Sequence, residues 1–322
     1  MSRLLQTIGL CGALIASTVS PAAAQDGGTV KLVVPFAPGG FPDTIGRLVA
    51  NQLAKDTPQT FVVENRPGGA GVIAADYVAK SAPDGRTLLV ADAQQWAIAP
   101  GLFKNWKLNA ERDFAAVTLL GTTGNFLVVT PDLKVANFKE LLALLKANPG
   151  KYFYGTPGVG SLHHLTFEAL NSKLDLKLTQ VPYKGGSEVV PALLSGQVSL
   201  AIQAMPSIKA LAEQGKLKVL GITMNRRLKF APDVPTLQEQ GVPDMDFPGA
   251  IGILAPAGTP PATVARLAAA MKRAVMAQPV ADKLAAYMIE PSGIAPDEFR
   301  AWIRSDIKKF GDAIKAAKLE PR

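Results

Sequence analysis

Two glycine-rich loops are the segments of this sequence best suited to bind a ligand. The first, PFAPGGFPD at 35–43, and the second, GTPGVGS at 155–161, each follow a β-like run and precede a helical pattern. Glycine lets the backbone approach a ligand closely, and the first turn of a helix leaves backbone N–H groups without partners. Pro42 suits a first helical turn, and Ser161 is suited to cap a helix beginning near Leu162. Each loop is thus a predicted carboxylate site, with an ordinary tight turn as the alternative.

Neither loop matches a nucleotide-binding motif. The second loop has glycine spacing like that of a P-loop, but no lysine precedes Ser161 to neutralise a phosphate. Neither loop completes the G-x-G-x-x-G pattern of dinucleotide-binding folds. The chemistry that remains is recognition of a small anion by backbone donors.

The side chains that could carry catalysis are not spaced for it. His163 and His164 are adjacent, so on a helix they point about 100° apart and cannot share a metal as i, i+4 ligands do. Ser187 lies in GGSEV, which lacks the last glycine of a nucleophile elbow. Nothing in the spacing pairs the carboxylates Asp43, Glu64, Asp84 and Asp92, which we interpret as helix caps or surface charges. The sequence therefore predicts no enzyme, no metal and no cofactor.

One loop alone is too weak a binding site. A helix terminus contributes about 0.3–2 kcal/mol and a charge-assisted hydrogen bond about 1.5–3 kcal/mol, whereas micromolar binding requires about 8 kcal/mol. Both loops and some apolar contact must act together, which favours a cleft closed from two sides.

The elements around the loops follow the alternation of a parallel α/β fold. Short β-rich runs alternate with helical patterns, as in the helix containing Ile45, Val49 and Leu53 on one face. The predicted strands are residues 31–36, 61–64, 87–91, 126–130, 152–155, 177–181, 198–203, 217–223 and 250–255.

The C-terminal third, from 260 to 318, is predicted to be almost wholly helical. Strands 126–130 and 250–255 lie where the chain is expected to change lobe. This predicts a discontinuous first lobe, residues 25–126 plus 249–322, with residues 127–248 inserted as the second lobe. Ligands in open α/β sheets bind beyond the carboxyl ends of the strands, so the facing lobes would enclose a cleft.

The N-terminus has the layout of a secretory signal peptide. A short basic start is followed by an apolar stretch and by small residues that end at Ala24, which predicts a signal peptide over 1–24. A membrane anchor is the alternative. Cleavage would remove Cys11, the one cysteine of the sequence, and leave a mature exported chain without disulfides.

The formal net charge of +8 suits an anionic partner. Lysine and arginine are scattered, with few aromatic residues between them, so the pattern predicts no nucleic-acid partner. A small anionic solute fits this distribution of charge better.

Several motifs together resemble the Bug family of periplasmic receptors of tripartite tricarboxylate transporters. They are VPFAPGG at 34–40 with Asp43, VENRPGGAG at 63–71, SAPDG at 81–85, YGTPGVGS at 154–161 with His164, VPYKG at 181–185, GKLKVL at 215–220, VPT at 234–236 and APAGTP at 255–260. They occur in order over the whole chain.

The resemblance implies a periplasmic binding protein-like (type II) Venus-flytrap fold, with two α/β lobes closing over a carboxylate. It also implies that the membrane subunits of a tripartite tricarboxylate transporter are partners, and we expect a monomer. The ligand-binding residues expected from the two loops and from the facing strand ends are Ala37, Pro38, Gly39, Gly40, Phe41, Asp43, Trp96, Thr156, Gly158, Gly160, Ser161, His164, Tyr183, Gln203 and Ala204. Asp43 is expected to orient the first loop and not to touch an anion.

Five positions depart from the usual pattern of the family. Phe41 stands where serine is common, Trp96 where histidine is common, Ala99 where asparagine is common, and Ser199 and Gln203 where aspartate is common. The changes at Phe41, Trp96 and Gln203 suggest a flatter, more apolar anion, such as an aromatic mono- or dicarboxylate. Packing of Trp96 under the loop, without ligand contact, is the alternative.

The expected function is capture of a small organic carboxylate in the periplasm for uptake by the transporter. A receptor that presents the same closed form to a membrane sensor kinase is the alternative, and a secreted hydrolase is a third class.

Overall fold

A buried strand followed by a helix opens the folded chain. The computed structural model describes residues 28–39, 41–183 and 186–321, so the predicted signal peptide lies outside the described residues. Strand β1 (Thr29–Val34) is apolar and fully buried at its carboxyl end, and α1 (Phe41–Asp56) follows it. Ile45, Val49 and Leu53 of α1 are buried against the first sheet. Burial of each such side chain contributes about 1.5–3 kcal/mol.

The first sheet draws its strands from both ends of the chain. It has six strands in the order β11-β4-β10-β3-β1-β2. Strands β1, β2 and β3 are parallel, whereas β10 runs antiparallel to β3 and to β4. The bounds that follow β1 are β2 (Thr60–Asn65), β3 (Thr87–Asp92), β4 (Phe114–Thr123), β10 (Gly249–Pro256) and β11 (Ile289–Pro291).

The second sheet comes from the middle of the chain. It has five strands in the order β7-β6-β8-β5-β9, in which β6 is parallel to β7 and β8, and β5 is antiparallel to β8 and β9. The bounds are β5 (Asn125–Val129), β6 (Phe153–Thr156), β7 (Thr179–Pro182), β8 (Leu200–Ala204) and β9 (Lys218–Ile222).

Helices cover the faces of both sheets. Their bounds are α2 (Val72–Ala79), α3 (Ala99–Leu102), α4 (Phe138–Ala147), α5 (Leu162–Leu174), α6 (Gly186–Leu194), α7 (Met205–Glu213), α8 (Pro261–Met276), α9 (Gln278–Ala286) and α10 (Pro296–Ala316). A π-helical turn, Gln94–Ile98, connects β3 to α3. No helix in the described part of the chain is long and apolar enough to span a bilayer.

The prediction of an α/β fold with two sheets is confirmed, and each of the predicted strands is present with its bounds shifted by a few residues. Two strands were not predicted, β4 and β11. The C-terminal third, predicted to be almost wholly helical, also contains the short strand Ile289–Pro291, which pairs with the end of β4.

The two sheets meet where the chain crosses between them. Only Gly124 separates β4 of the first sheet from β5 of the second. Asn125 donates its side-chain N–H to the backbone oxygen of Phe247 at 3.0 Å. This bond connects the segment that leaves the first sheet to the segment that returns to it before β10. Arg226 forms an ion pair with Glu290 of β11, which joins the second sheet's loops to the first sheet. These contacts fix how the strand ends of the two sheets face each other.

Candidate functional site

The loop after β1 is held by a buried carboxylate at the start of α1. Asp43 Oδ2 accepts hydrogen bonds from the Gly39 N–H at 2.9 Å and from Arg47 Nε at 3.0 Å. Its Oδ1 accepts from Asn65 Nδ2 at 2.9 Å, and Asn65 also donates to the Phe36 backbone oxygen. Burial would raise the pKa of Asp43, but the hydrogen bonds from Arg47, Gly39 and Asn65 outweigh it and hold the pKa below its usual value. The hydrogen bonds of Asp43 thus fix the conformation of the loop after β1.

The loop between β6 and α5 is fixed by its own helix cap. Ser161 accepts a hydrogen bond from the His164 N–H and donates its hydroxyl to the Gly158 oxygen at 2.9 Å. His164 Nδ1 accepts from the Gly160 N–H at 3.0 Å. Gly158 and Gly160 have φ of 130° and 77°, backbone conformations that glycine adopts without strain. His164 therefore orders this loop from its buried side.

The first turn of α5 retains two backbone donors. The N–H groups of His164 and Leu165 bond to Ser161, whereas no described residue accepts a hydrogen bond from the N–H groups of Leu162 and His163. Such N–H groups carry the positive end of the helix dipole and attract anions.

These donors border a cavity of about 600 Å³ between the two sheets. The starts of α1, α5 and α7 all reach its wall. No lysine or arginine is present among its described lining residues. Those residues are Phe36, Phe41, Pro42, Asp92, Ala93, Gln94, Phe103, Thr123, Asn125, Pro157, Gly158, Val159, Gly160, Ser161, Leu162, His163, Ala204, Gly249, Ala250 and Ile251. A smaller space of about 220 Å³ adjoins it and shares Phe41, Thr123 and Ala204.

Two titratable side chains line the cavity, Asp92 at the end of β3 and His163 in the first turn of α5. Burial raises the pKa of Asp92 to about 7, and the hydrogen bond from the Gln94 N–H opposes this rise only in part. Burial lowers the pKa of His163 to about 4, so its imidazole is neutral at physiological pH. The described lining of the cavity therefore presents backbone dipoles to an anion and contains no positively charged side chain.

The structure brings part of the predicted site together. Phe41, Gly158, Gly160, Ser161 and Ala204 line the cavity. Gly39 lines the adjoining space, Ala37 and Pro38 are exposed outside the lining, and Gly40 lies outside the described residues.

Four other predicted residues lie outside the cavity lining: Thr156, His164, Tyr183 and Gln203. Thr156 is buried and accepts a hydrogen bond from Gln180 at 2.7 Å. The Tyr183 hydroxyl donates to Gln197, and Gln203 is buried with its Nε2 lacking a partner among the described residues. Neither they nor His164 contribute to the lining.

Trp96 requires a correction. Its side chain is completely buried, donates its indole N–H to Asp306 at 2.9 Å and packs edge-on against Phe299. The expectation that Trp96 contacts a ligand is wrong in this structure, because the π-helical turn directs its ring into the core beneath α10. The alternative interpretation, packing under the loop, describes the observed position.

Sequence reasoning missed several lining residues, among them Asp92, Asn125, His163 and Phe103. Asp92 closes a strand and precedes a helical turn, which is the position expected for ligand contact in an open α/β sheet. That position was the available signal for Asp92.

Comparison with protein families matches residues 45–319 to the model described as "Tripartite tricarboxylate transporter family receptor". Among curated proteins, the chain is 32% identical over 325 residues to Protein BugT of Bordetella pertussis, with 99% of each chain covered.

Two solved structures are similar over most of the chain. One is R. palustris Rpa4515 with adipate, with a TM-score of 0.81 and 31% identity over 92% of this chain and 99% of that one. The other is MatC from Rhodopseudomonas palustris with bound malate, with a TM-score of 0.75 and 32% identity over 89% of this chain and 99% of that one.

Proposed function

The chain belongs to the tripartite tricarboxylate transporter receptor family, which includes the Bug proteins, and we propose that it captures a small organic carboxylate in the periplasm for uptake by such a transporter. The family consists of solute-binding receptors and not of enzymes. The membrane subunits of the transporter are the proposed partners, and the receptor acts as a monomer.

One observation carries this proposal: Leu162 and His163, whose backbone N–H groups bond to no described residue, line a cavity that the start of α1 also reaches. A charge-assisted hydrogen bond contributes about 1.5–3 kcal/mol, and a partly buried helix terminus up to about 2 kcal/mol. Two such bonds together with apolar contact reach the approximately 8 kcal/mol of micromolar binding. The described lining would thus bind an anion through backbone donors, without a lysine or arginine side chain.

A second cavity, of about 580 Å³ between α5 and α10, is a weaker candidate although lysines line it. Lys173 pairs with Asp244 at 3.2 Å and Lys308 with Asp312 at 2.9 Å. These ammonium groups are already neutralised, so an anion entering there would have to displace carboxylates.

The walls of the cleft favour a ligand with an apolar body. The rings of Phe36, Phe41 and Phe103 line the cavity beside polar groups of Thr123 and Asn125. Similar receptors are described with adipate and with malate. We extend the proposal to a dicarboxylate or an aromatic monocarboxylate, with Phe41 in contact with the ligand's carbon frame. Ring stacking would add about 0.5–1.5 kcal/mol.

Closure of two lobes completes the proposed site. We assign residues 25–126 plus 249–322 to the first lobe and 127–248 to the second, hinged at Gly124 and at the segment around Phe247. Closure would bring the start of α5 toward the start of α1, and the closed form would present the surface that the transporter recognises.

A thermal-shift panel on the mature chain tests the proposal. Adipate, malate, benzoate and terephthalate are compared with putrescine and glucose as cationic and neutral controls. A ligand at 100 times its Kd should stabilise the protein by about 2.7 kcal/mol. We expect at least one carboxylate to stabilise strongly and the controls to have no effect. Stabilisation by the amine or the sugar alone would refute the assignment to an anion.

A further inference from the structure

Asp92 is a carboxyl group placed where an anionic ligand is proposed to bind. It ends β3 opposite Ile251 of β10 and lines the 600 Å³ cavity together with His163. Its Oδ1 accepts the Gln94 N–H at 2.8 Å, and its backbone N–H is donated to Gln95. No described residue donates a hydrogen bond to Oδ2. One oxygen of Asp92 is therefore available to a ligand.

Among the described residues that line the cavity, no lysine or arginine is present to keep this carboxyl group ionised. β10 carries no titratable residue, and His163 is neutral because burial lowers its pKa to about 4. The elements around β3 and the π-helical turn carry four ion pairs: Lys31 with Glu64, Asp43 with Arg47, Asp76 with Lys80, and Asp306 with Lys309. An ionised Asp92 would face a bound carboxylate with no cationic side chain of the described lining between them.

Two carboxyl groups in one buried site hold a shared proton, because both cannot ionise without strong repulsion. Burial already raises the pKa of Asp92 to about 7 in the empty cleft. A second negative charge would raise that pKa further.

We propose that Asp92 is a specificity-determining residue that binds an oxygen of the carboxylate ligand in its protonated form, so that the ligand enters the cleft together with one proton. The neutral carboxyl group donates from Oδ2 to an oxygen acceptor, while the N–H groups of α5 hold the ligand's charge. The preferred ligand carries acceptors at both ends, as a dicarboxylate does, and an amino group beside Asp92 is disfavoured. This inference rests on the proposed function.

The alternative is a purely structural role for Asp92, since its Oδ1 accepts the Gln94 N–H at the start of the π-helical turn, as a capping oxygen would. Asparagine caps a helix as well as aspartate does, and its amide donates a hydrogen bond at every pH. Asp92→Asn therefore keeps the capping oxygen and the hydrogen-bond donor, and removes only the titratable carboxyl proton. Asp92→Ser, which also keeps a capping oxygen, is the second variant should Asp92→Asn fold poorly.

Isothermal titration calorimetry with adipate, malate and terephthalate at pH 6.5, 7.5 and 8.5 measures the proton directly, using HEPES and Tris, whose ionisation enthalpies differ. The native protein should take up close to one proton at pH 8.5 and lose up to about tenfold in affinity between pH 7.5 and 8.5. Asp92→Asn should take up none and keep its affinity within about threefold across this range. Asp297→Asn, at an exposed site on α10, should behave as the native protein does.

Binding by the native protein without proton uptake would overturn the inference. So would proton uptake by both Asp92 variants that equals the uptake by the native protein. Tighter binding of L-glutamate at pH 8.5 than at pH 6.5, lost in Asp92→Asn, would also overturn it, since ionised Asp92 would then pair with an ammonium group. If no carboxylate binds at pH 6.5, the proposed function itself fails, which is a different result from binding without a proton.

Discussion

Asp43 accepts the Gly39 N–H at 2.9 Å, and this bond closes the first loop of the cleft back onto the helix that follows it. The same carboxylate binds Arg47 and Asn65, so one buried charge connects the loop, α1 and the end of β2. The loop is therefore shaped before any ligand arrives, and the entropy of ordering it need not be lost on binding.

Asp43→Asn should destabilise the protein by about 1–2 kcal/mol at neutral pH, because it removes charge-assisted bonds from Arg47 and Gly39. The folded-state pKa of Asp43 lies below its unfolded value, so its contribution is present above pH 4 and is lost as pH falls through the folded pKa. The free energies of unfolding of the variant and of the native protein, measured with urea, should therefore converge as the pH falls below 4. Asp56→Asn, at the exposed end of α1, is the control. A stability difference that grows on acidification would contradict this role.

The backbone N–H of Leu162 can be removed without disturbing α5. Proline is tolerated at the first position of a helix, and Ser161 already has the extended φ and ψ of −69° and 159° that a following proline requires. Leu162→Pro removes the donor and the side chain, whereas Leu162→Ala removes the side chain alone. We expect Leu162→Pro to bind adipate or terephthalate at least tenfold more weakly than Leu162→Ala, as measured by calorimetry. Equal affinities would show that this N–H does not hold the ligand.

Gly160 and Gly150 form a matched pair, since both have φ of 77°. A Cβ at Gly160 would lie 2.5 Å from Leu102 Cδ1, whereas at Gly150 it would meet open space. Alanine at either position should cost about 1 kcal/mol from backbone strain. Only Gly160→Ala should also displace the second loop and weaken carboxylate binding, by about tenfold or more. Equal loss of binding in both variants would point to general destabilisation instead.

Trp96→Phe should change stability and leave recognition intact. The variant loses a buried hydrogen bond to Asp306, which costs about 1–3 kcal/mol. Because the ring lies beneath α10 and outside the cavity lining, the affinity for carboxylates should stay within about threefold. Thermal unfolding and calorimetry on the same preparation measure both effects. Loss of carboxylate binding with unchanged stability would contradict this prediction and show that Trp96 contacts the ligand.

The sequence predicted the alternation of strands and helices because apolar periodicity is local. Strand β4 was not predicted because its alanines and Gly121 have low β propensity and because only Gly124 separates it from β5. β11 is only three residues long and follows a helix, so no periodicity could develop.

The candidate site was predictable at its loops and not at its walls. The glycines and the capping residue Ser161 predict the second loop by residue type alone. The direction of Trp96 depends on the π-helical turn, whose wider hydrogen-bond spacing rotates the residues that follow relative to a regular helix. That Asp92 and His163 line the same cavity depends on how two separate sheets pack, which no local pattern encodes.

A crystal structure of the mature protein with bound terephthalate or adipate, whichever binds more tightly, tests the central claim most directly. One ligand carboxylate should lie within about 3 Å of the N–H groups of Leu162 and His163, between the starts of α5 and α1. A ligand found in the cavity between α5 and α10, or elsewhere outside the cleft, would contradict it.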